Sequence, residues 1–473
     1  MMSNETAPAT VPARPRARRG VAVAGLAASM FLVILDSAMV NLAGPAIREG
    51  LGLSVPELAI AVNSYLVAFA GLLLLGGRLA DVLGGRKVYL TGMAVYIAAS
   101  VCSALAVSGP MLTVGRVGQG IGSAIVVPAA LALVLSLYSS RAERTRAMGI
   151  WGAVAGAGSL IGVFLGGTLT DLLGWQSVFL TPIPIGITSA VIVWRTVPSF
   201  PRRPGRFDLL GALTITVGIS AIALGTVSAA EAGWGEPATL IGLTVGFASL
   251  TAFVIAEQRS ADPLVPLGVF RNRPVVTASV VMMMIGATLT GVFFFLPLYQ
   301  QEVLGMSALA TGMAQIPIAV MIIVGSVVAP MLAKRIGLGR ALPAGLAVLL
   351  VGLLWLAVDP TTSGFSASLL GAFLLTGTGL GLGSVSATAM AVRDSREGES
   401  GLLSGLINAA QQVGSAVGLA VLIGISVGAA GANDDIEFTT AFLGVAALIL
   451  IALALSFVPT ARTRADRATA GAR

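Results

Sequence analysis

Residues 21–47 read VAVAGLAASMFLVILDSAMVNLAGPAI, an apolar run with a single carboxylate inside it. A transmembrane helix needs about 20 predominantly apolar residues, so this run is long enough to cross a bilayer. Asp36 lies in the middle of the run, where a carboxylate costs roughly 2.5 to 3.5 kcal/mol on the lenient insertion scale. Such a residue is either functional or held by hydrogen bonds across helices, and both alternatives stay open at this stage.

The composition predicts a polytopic membrane protein. The chain has 473 residues, of which 56% are hydrophobic and 10% charged, against about 25% charged residues in soluble proteins. Its mean hydropathy is +0.94. Spans of this length must be helices, because only a helix satisfies its own backbone hydrogen bonds away from water. The fourteen predicted spans are 21–47, 57–79, 88–108, 110–138, 148–173, 178–197, 209–230, 237–257, 275–299, 310–333, 341–358, 366–391, 402–430 and 438–459.

The basic residues predict the orientation. Lys and Arg near the ends of spans are retained in the cytoplasm. With fourteen spans and both termini inside, all 28 basic residues fall on cytoplasmic segments except Arg48 outside and Arg116 within a span. The net charge of +7 is thus explained by topology, and we predict no nucleic-acid partner. The Ala-, Gly- and Arg-rich composition favours a bacterial source and a cell-membrane location.

Cysteine and histidine usage argues against an enzyme. The chain has one cysteine, Cys102, and no histidine, which excludes an intramolecular disulfide and removes the commonest metal ligand and general base. We predict no catalytic residue, no metal site and no cofactor.

Two basic, proline-rich stretches divide the chain into two pseudo-symmetric six-helix bundles and a two-helix insert. We predict an all-α protein that acts as a monomer in the lipid bilayer. Its predicted segments are a disordered cytoplasmic tail at 1–19, an N-terminal bundle at 20–197, an insert with cytoplasmic linkers at 198–274, a C-terminal bundle at 275–459 and a cytoplasmic tail at 460–473.

A glycine-rich basic loop follows the second span. Residues 77–87 read GRLADVLGGRK and resemble the loop between helices 2 and 3 of the major facilitator superfamily, although Val82 replaces the usual basic residue. The resemblance implies a conformational or gating role for Gly77, Asp81, Gly84, Arg86 and Lys87. A generic basic loop is the alternative.

The fourth span carries an arginine. Arg116, Gln119, Gly120 and Ser123 follow the i, i+3, i+4, i+7 spacing of one helix face, and an arginine inside a span must face a partner or a water-filled cavity. The segment LTVGRVGQGIGS, residues 112–123, is similar to the superfamily pattern in which this arginine serves proton coupling. In the alternative, Arg116 extends to the nearby external surface and is structural.

The fifth span contains regularly spaced glycines. They resemble the antiporter signature of exporters in this superfamily, although Val163 replaces its proline and removes the expected kink. For each glycine, a conformational role and simple close packing remain open. The residues that match the signature are Gly149, Gly158, Gly162, Gly166 and Gly167.

The first span completes the resemblance. LDSAMVNLAGP, residues 35–45, is similar to the signature of the fourteen-helix drug/proton antiporter branch, and further matches extend the likeness over residues 20–459. The implied function is proton-coupled export of amphipathic drugs or antibiotics by alternating access, conferring resistance, with Asp36 and Arg116 as the proton-coupling pair. Burial disfavours a charged carboxylate whereas a nearby cation favours it, so we expect a cationic drug to promote proton release.

The helical spacing of Gly25, Ser29, Asp36 and Gly44 predicts a small, polar stripe, which we expect to face a central cavity. The candidates for the substrate-facing wall of this cavity are Tyr65, Asn63, Gln119, Gln315, Asn408, Gln411 and Gln412.

Two other classes of function remain. Proton-coupled uptake or symport of a small nutrient would use the same fold, and Val163 in place of proline keeps that reading open. The second of these classes is a non-transporting membrane sensor or enzyme. The absence of histidine and of a sizeable soluble domain argues against it.

Overall fold

The computed structural model describes residues 16–138, 141–198, 208–260, 263, 265, 267–358, 367–393, 400–430 and 437–457. Every regular element in these residues is a helix. The α-helices are α1 (Arg16–Leu51), α2 (Val55–Leu79), α3 (Gly85–Ala104), α4 (Gly109–Ser136), α5 (Arg141–Leu173), α6 (Ser177–Leu180), α7 (Pro182–Thr196), α8 (Leu209–Ala232), α9 (Pro237–Arg259), α10 (Arg273–Leu298), α11 (Ala308–Ile336), α12 (Leu338–Val358), α13 (Ala367–Val392), α14 (Ser400–Ala430) and α15 (Phe438–Ser456). Two π turns, Ala80–Gly84 and Tyr299–Val303, and the 3₁₀ turn Leu267–Arg271 join some of them.

The fourteen predicted spans are confirmed. Thirteen helical stretches in the described residues are long and apolar enough to cross a membrane, and α6 with α7 forms one of them, Ser177–Thr196. Helix α8 is the fourteenth, with 24 residues and an apolar described portion from Leu210 to Thr226. The protein is therefore an all-α membrane protein, and its described helices match the fourteen predicted spans one for one.

Helices α1 and α5 begin five and seven residues before the predicted spans, at Arg16 and Arg141, and the other span ends lie within four residues of the prediction. Helix α1 begins at Arg16, inside the stretch predicted as a tail, because Arg and Ala are good helix formers. The sixth span is interrupted between Leu180 and Pro182, since proline has no backbone N–H to continue the hydrogen-bond ladder. Residues 1–15 and 458–473, which hold the rest of the predicted tails, lie outside the described residues.

Helices α1–α7 and α10–α15 form two bundles. In the first, α4 packs on α2 and α3, and α1 packs on α5 and α7. In the second, α10 packs on α14 and α15, and α13 packs on α11 and α12. The bundles meet where α5 contacts α11, α2 contacts α14 and α1 contacts α10.

The inserted pair α8 and α9 attaches to both bundles through α8. The Thr216 hydroxyl of α8 donates to the Gly71 carbonyl of α2 at 2.8 Å. On the other side, the buried residue Ala223 of α8 packs against Ala420 of α14. Helix α9 packs mainly on α8, so α8 alone bridges the seam between α2 and α14.

Glycines of α5 bring that helix unusually close to α1. A Cβ at Gly162 would lie 2.9 Å from the Leu35 carbonyl and 2.8 Å from the Ala38 Cβ, and a Cβ at Gly166 would lie 2.9 Å from the Met39 Cα. Small residues permit this approach between membrane helices. Val163 does not interrupt the helix, since α5 runs unbroken from Arg141 to Leu173.

We expect Gly162→Val to lower the thermal stability of the purified protein, because the added side chain would enter space already filled by α1; overpacking of this kind costs roughly 1 to 3 kcal/mol. Gly405→Val is the matched control, since Gly405 also lies in a helix and nothing stands within 4 Å of its Cβ position. Thermal unfolding in detergent, followed by size-exclusion chromatography, measures both. Equal losses in the two variants would contradict the packing role of Gly162.

Candidate transport site

A buried ion pair joins α1 to α4. The Arg116 Nη1 atom donates to Asp36 Oδ2 at 3.0 Å, and the side chains are 3% and 0% exposed respectively. In a low-dielectric interior, a charge is tolerated only when it is paired and hydrogen-bonded. The two residues predicted as the proton-coupling pair are therefore in direct contact.

Gln119 and Tyr65 also contact the pair. Gln119 Nε2 donates to Asp36 Oδ1 at 3.2 Å and to Ser100 Oγ at 2.9 Å, while Gln119 Oε1 accepts from Arg116 at 2.9 Å. The Arg116 guanidinium carbon lies 4.4 Å from the centre of the Tyr65 ring, a favourable cation–π position. Helices α1, α2, α3 and α4 thus each supply one group or more to a single polar cluster.

A cavity of about 130 Å³ lies between the two bundles beside this cluster. Of the described residues that line it, Arg116 is the only charged one. The others come from α1, α2, α5 and α10 and are Ile34, Ser37, Ala38, Asn41, Val62, Tyr65, Leu66, Ser159, Leu289, Thr290 and Phe293. The volume is below the roughly 300 to 1,000 Å³ of sites for drug-sized ligands, so the bundles must move apart to admit such a molecule.

The cavity is lined by the opposite side of α1 from the one we predicted. Ile34, Ala38 and Asn41 line it, and Asp36, two residues beyond Ile34, projects about 200° further round the helix. The stripe that includes Gly25 and Asp36 faces the interior of the N-terminal bundle instead. Its small residues serve helix packing: the Ser189 hydroxyl donates to the Gly25 carbonyl at 2.6 Å. Arg116 therefore separates the Asp36 carboxylate from the cavity.

Of the seven residues predicted to line the cavity, the structure places Tyr65 there. Gln119 is buried in the ion-pair cluster, and Gln315 is buried in the C-terminal bundle, where its Nε2 donates to Gln300 Oε1 at 2.8 Å. Asn63 is also buried, and its Oδ1 atom has no hydrogen-bond partner among the residues that the structure describes. On α14, Asn408 is exposed and Gln411 and Gln412 are half-buried.

Several cavity residues were missed by the sequence analysis. Ser37, Asn41, Ser159 and Thr290 line the cavity. Ser37 and Asn41 stand four residues apart in the opening run, which places them on one helix face. This spacing could have identified the cavity-facing side of α1. The prediction placed the cavity on the side of Asp36 instead, because Asp36 is the charged residue of the run.

The loop after α2 forms a π turn at Ala80–Gly84. Gly84 has a φ of +98°, a conformation that glycine adopts far more easily than other residues. Arg86 donates to the Trp194 carbonyl near the end of α7, Gly77 packs near Pro128 of α4, and Lys87 is exposed. The side chain of Asp81 and the surroundings of Gly149 in α5 lie outside the described part of the structure.

Two helical bundles around a central cavity with a buried charge at its wall define a polytopic membrane transporter. The chain belongs to the Major Facilitator Superfamily, whose family model matches residues 26–419. It is a transporter of small molecules in the cell membrane, not an enzyme.

Three curated relatives cover most of the chain. A cephamycin export protein of Amycolatopsis lactamdurans is 37% identical over 92% of this chain and 91% of that protein. A puromycin resistance protein of Streptomyces alboniger is 35% identical, over 88% and 84%. A tetracenomycin C resistance and export protein of Streptomyces glaucescens is 32% identical, over 86% and 76%.

Solved structures agree on the fold. The POT family transporter PepTSo superposes with a TM-score of 0.69 at 16% identity, over 96% of this chain and 99% of that one. A bacterial homologue of the human lysosomal transporter Spinster, in an inward-facing conformation, gives 0.67 at 16% identity, over 94% and 98%. At this level of identity the likeness concerns the fold alone.

We expect Arg116→Leu to destabilise the protein by about 3 to 5 kcal/mol, because it leaves the Asp36 carboxylate buried without a counter-ion. Asp36→Asn combined with Arg116→Leu removes both charges and should recover most of the loss. Thermal unfolding in detergent provides the measurement, and Arg340→Leu, at an exposed arginine of α12, is the control. Additive losses in the double variant would contradict the pairing.

Proposed function

We propose that the protein exports amphipathic drugs or antibiotics across the cell membrane by proton-coupled antiport, with Asp36 as the proton carrier and Arg116 as the group that transmits its charge state to the cavity. The observation that carries this proposal is the order of the groups. The cavity meets Arg116, and Arg116 meets Asp36. The export and resistance relatives support the direction of transport and the class of substrate.

The charge of the pair switches with the proton. While Asp36 is ionised, the pair is neutral overall and a cationic amphiphile can occupy the cavity. Once Asp36 is protonated, the charge of Arg116 is uncompensated and repels that ligand. At a separation of roughly 4 to 5 Å and an effective dielectric constant of about 20, two like charges repel by roughly 3 to 4 kcal/mol. Proton and cationic substrate therefore weaken each other's binding, and this reciprocity is what antiport requires.

The same geometry favours a second candidate for an anionic substrate. A carboxylate in the cavity would be attracted to Arg116, and the attraction is strongest when Asp36 is protonated. Proton and anion would then bind together, as in proton-coupled uptake or symport of a small nutrient. The sign of the coupling thus follows from the charge of the substrate.

The proposal includes the topology and the assembly. Both termini lie in the cytoplasm, where the clusters of basic residues are retained. The N-terminal bundle, the insert and the C-terminal bundle occupy residues 20–197, 198–274 and 275–459. The protein works as a monomer and is driven by the proton gradient without a bound cofactor.

Replacement of Asp36 tests the proton carrier. Expressed in a drug-sensitive host that lacks its own pumps, Asp36→Asn should abolish energy-dependent efflux across a panel of cationic compounds, because the pair can no longer change charge. Asp36→Glu should retain part of the activity, since it keeps a titratable carboxyl group. Efflux is measured with and without an uncoupler, and Glu49→Gln, at an exposed carboxylate near the end of α1, is the control for neutralising a carboxylate elsewhere. Normal uncoupler-sensitive export by the Asp36→Asn variant would contradict the proposal that Asp36 carries the proton.

The direction of proton movement separates the two candidates. In proteoliposomes with an internal pH indicator, a transported cationic substrate should drive protons across the membrane in the opposite direction. A transported anionic substrate should carry protons along with it. Both signals should disappear in Asp36→Asn. A cationic substrate that moves together with protons would contradict the charge-switch mechanism.

A further inference from the structure

Three polar bonds join the two bundles at one end of the molecule, where α1 and α5 end and α11 begins. Arg48 Nη1 donates to Glu302 Oε1 at 2.6 Å. Gln301 Nε2 donates to the Leu42 carbonyl at 3.0 Å. The Leu309 backbone N–H donates to Asp171 Oδ2 at 2.9 Å. Each bond has one partner in α1 or α5 and the other in the C-terminal bundle, and we call these six groups the outer latch.

The π turn Tyr299–Val303 at the end of α10 supplies two of the six groups of the latch, Gln301 and Glu302. Three consecutive polar residues point from it in two directions. Gln300 is turned into its own bundle, where it accepts from Gln315, while Gln301 and Glu302 reach the opposite bundle. A π turn is a rare departure from α-helix, often found at functional sites. Here the π turn allows Gln300 to bond within its own bundle while the next two side chains bond to the other bundle.

Close backbone contacts lie directly beneath the latch. A Cβ at Gly312 would be 2.7 Å from the Val163 carbonyl, and a Cβ at Gly167 would be closer still to the Ala308 carbonyl. No side chain fits between α5 and α11 at this end. Separation of the bundles here must break the three polar bonds and these contacts together.

The latch is accessible to water. It borders an open depression of about 920 Å³ lined by Arg48, Asp171, Gln301 and Glu302 among others. The side chains of Arg48 and Glu302 are 30% and 33% exposed. Exposed ion pairs of this kind are weak, so the latch can open in every transport cycle, unlike the buried pair of Asp36 and Arg116.

We infer that the outer latch is the external gate, and that Arg48 and Glu302 are positioning residues that set the balance between the closed and the open external face. This role rests on the proposed topology, which places this end of the molecule outside the cell, and it requires the bundles to rock, but it does not require Asp36 to carry a proton. It assigns a task to the polar segment of residues 299–303, which the coupling mechanism does not use.

Accessibility of the central cavity from outside tests the inference. Cys102→Ser removes the native thiol, and Ser37→Cys introduces a reporter at the cavity wall. Intact cells are treated with a membrane-impermeant charged maleimide, and the labelling rate is measured. Glu302→Gln and Arg48→Gln should each raise the rate roughly two- to fivefold, because less free energy then holds the external face closed. The labelling rate of the double variant should be only slightly higher than that of either single variant, because each single change already breaks the same ion pair.

The charge exchange of Arg48→Glu with Glu302→Arg should return the rate towards that of the parent, which separates loss of the pair from general damage to the fold. Glu49→Gln is the matched control, because Glu49 lines the same depression and should leave the rate unchanged. Thr290→Cys, on the opposite wall of the cavity, provides an independent reporter.

Unchanged labelling in both single variants, or a charge exchange that labels as fast as they do, would overturn the latch. Since the readout involves neither drug nor proton, labelling should still respond if Asp36 proves inert. Conversely, export that depends on Asp36 with labelling that ignores Arg48 and Glu302 would refute the latch alone.

Discussion

The ion pair between Asp36 and Arg116 constrains the whole N-terminal bundle. Moving two charges out of water costs several kcal/mol per ion even after relaxation, and attraction offsets this only when further hydrogen bonds satisfy the remaining donors and acceptors. Gln119 bonds to both members of the pair, and Ser100 accepts from Gln119. A displacement of any of α1, α3 or α4 would leave part of this cluster unsatisfied, so these helices must move as a unit.

Asp36 and Arg116 differ in their position relative to the cavity. Asp36 is fully buried and Arg116 reaches the wall of the cavity. A ligand therefore senses the carboxylate only through the net charge of the pair. Under the proposed mechanism, this arrangement keeps the titrating carboxylate out of direct contact with the ligand. Chemically varied ligands could then be coupled to one carboxylate, because long-range charge and not a specific hydrogen bond would convey the signal.

The fold was largely predictable from the sequence, because long apolar runs admit only helices in a membrane and the basic residues mark one side of it. The contact between Asp36 and Arg116 was also foreseeable, since each was the only group in its span that needed a counter-ion. The direction in which Asp36 projects was not. A stripe of small residues on α1 suits a cavity wall as well as close helix packing, and only the position of α7 against Gly25 decides between them. The amides Gln315 and Gln119 were misplaced for the same reason, because a polar side chain in a span can satisfy itself within its own bundle.

Helix α8 contacts both bundles, so a movement of one bundle relative to the other must also affect α8. It is hydrogen-bonded to Gly71 on one side and rests on Ala420 with a methyl group on the other. When the bundles rock, these two attachments cannot both persist. The attachment to α2 includes an interhelical hydrogen bond, whereas the contact with Ala420 is one of close packing between small side chains. A rocking motion of the bundles would therefore have to change the contacts of α8 with at least one of α2 and α14. Helix α8 covers the seam between α2 and α14, so the boundary between α5 and α11 is the seam between the bundles that the inserted pair leaves uncovered.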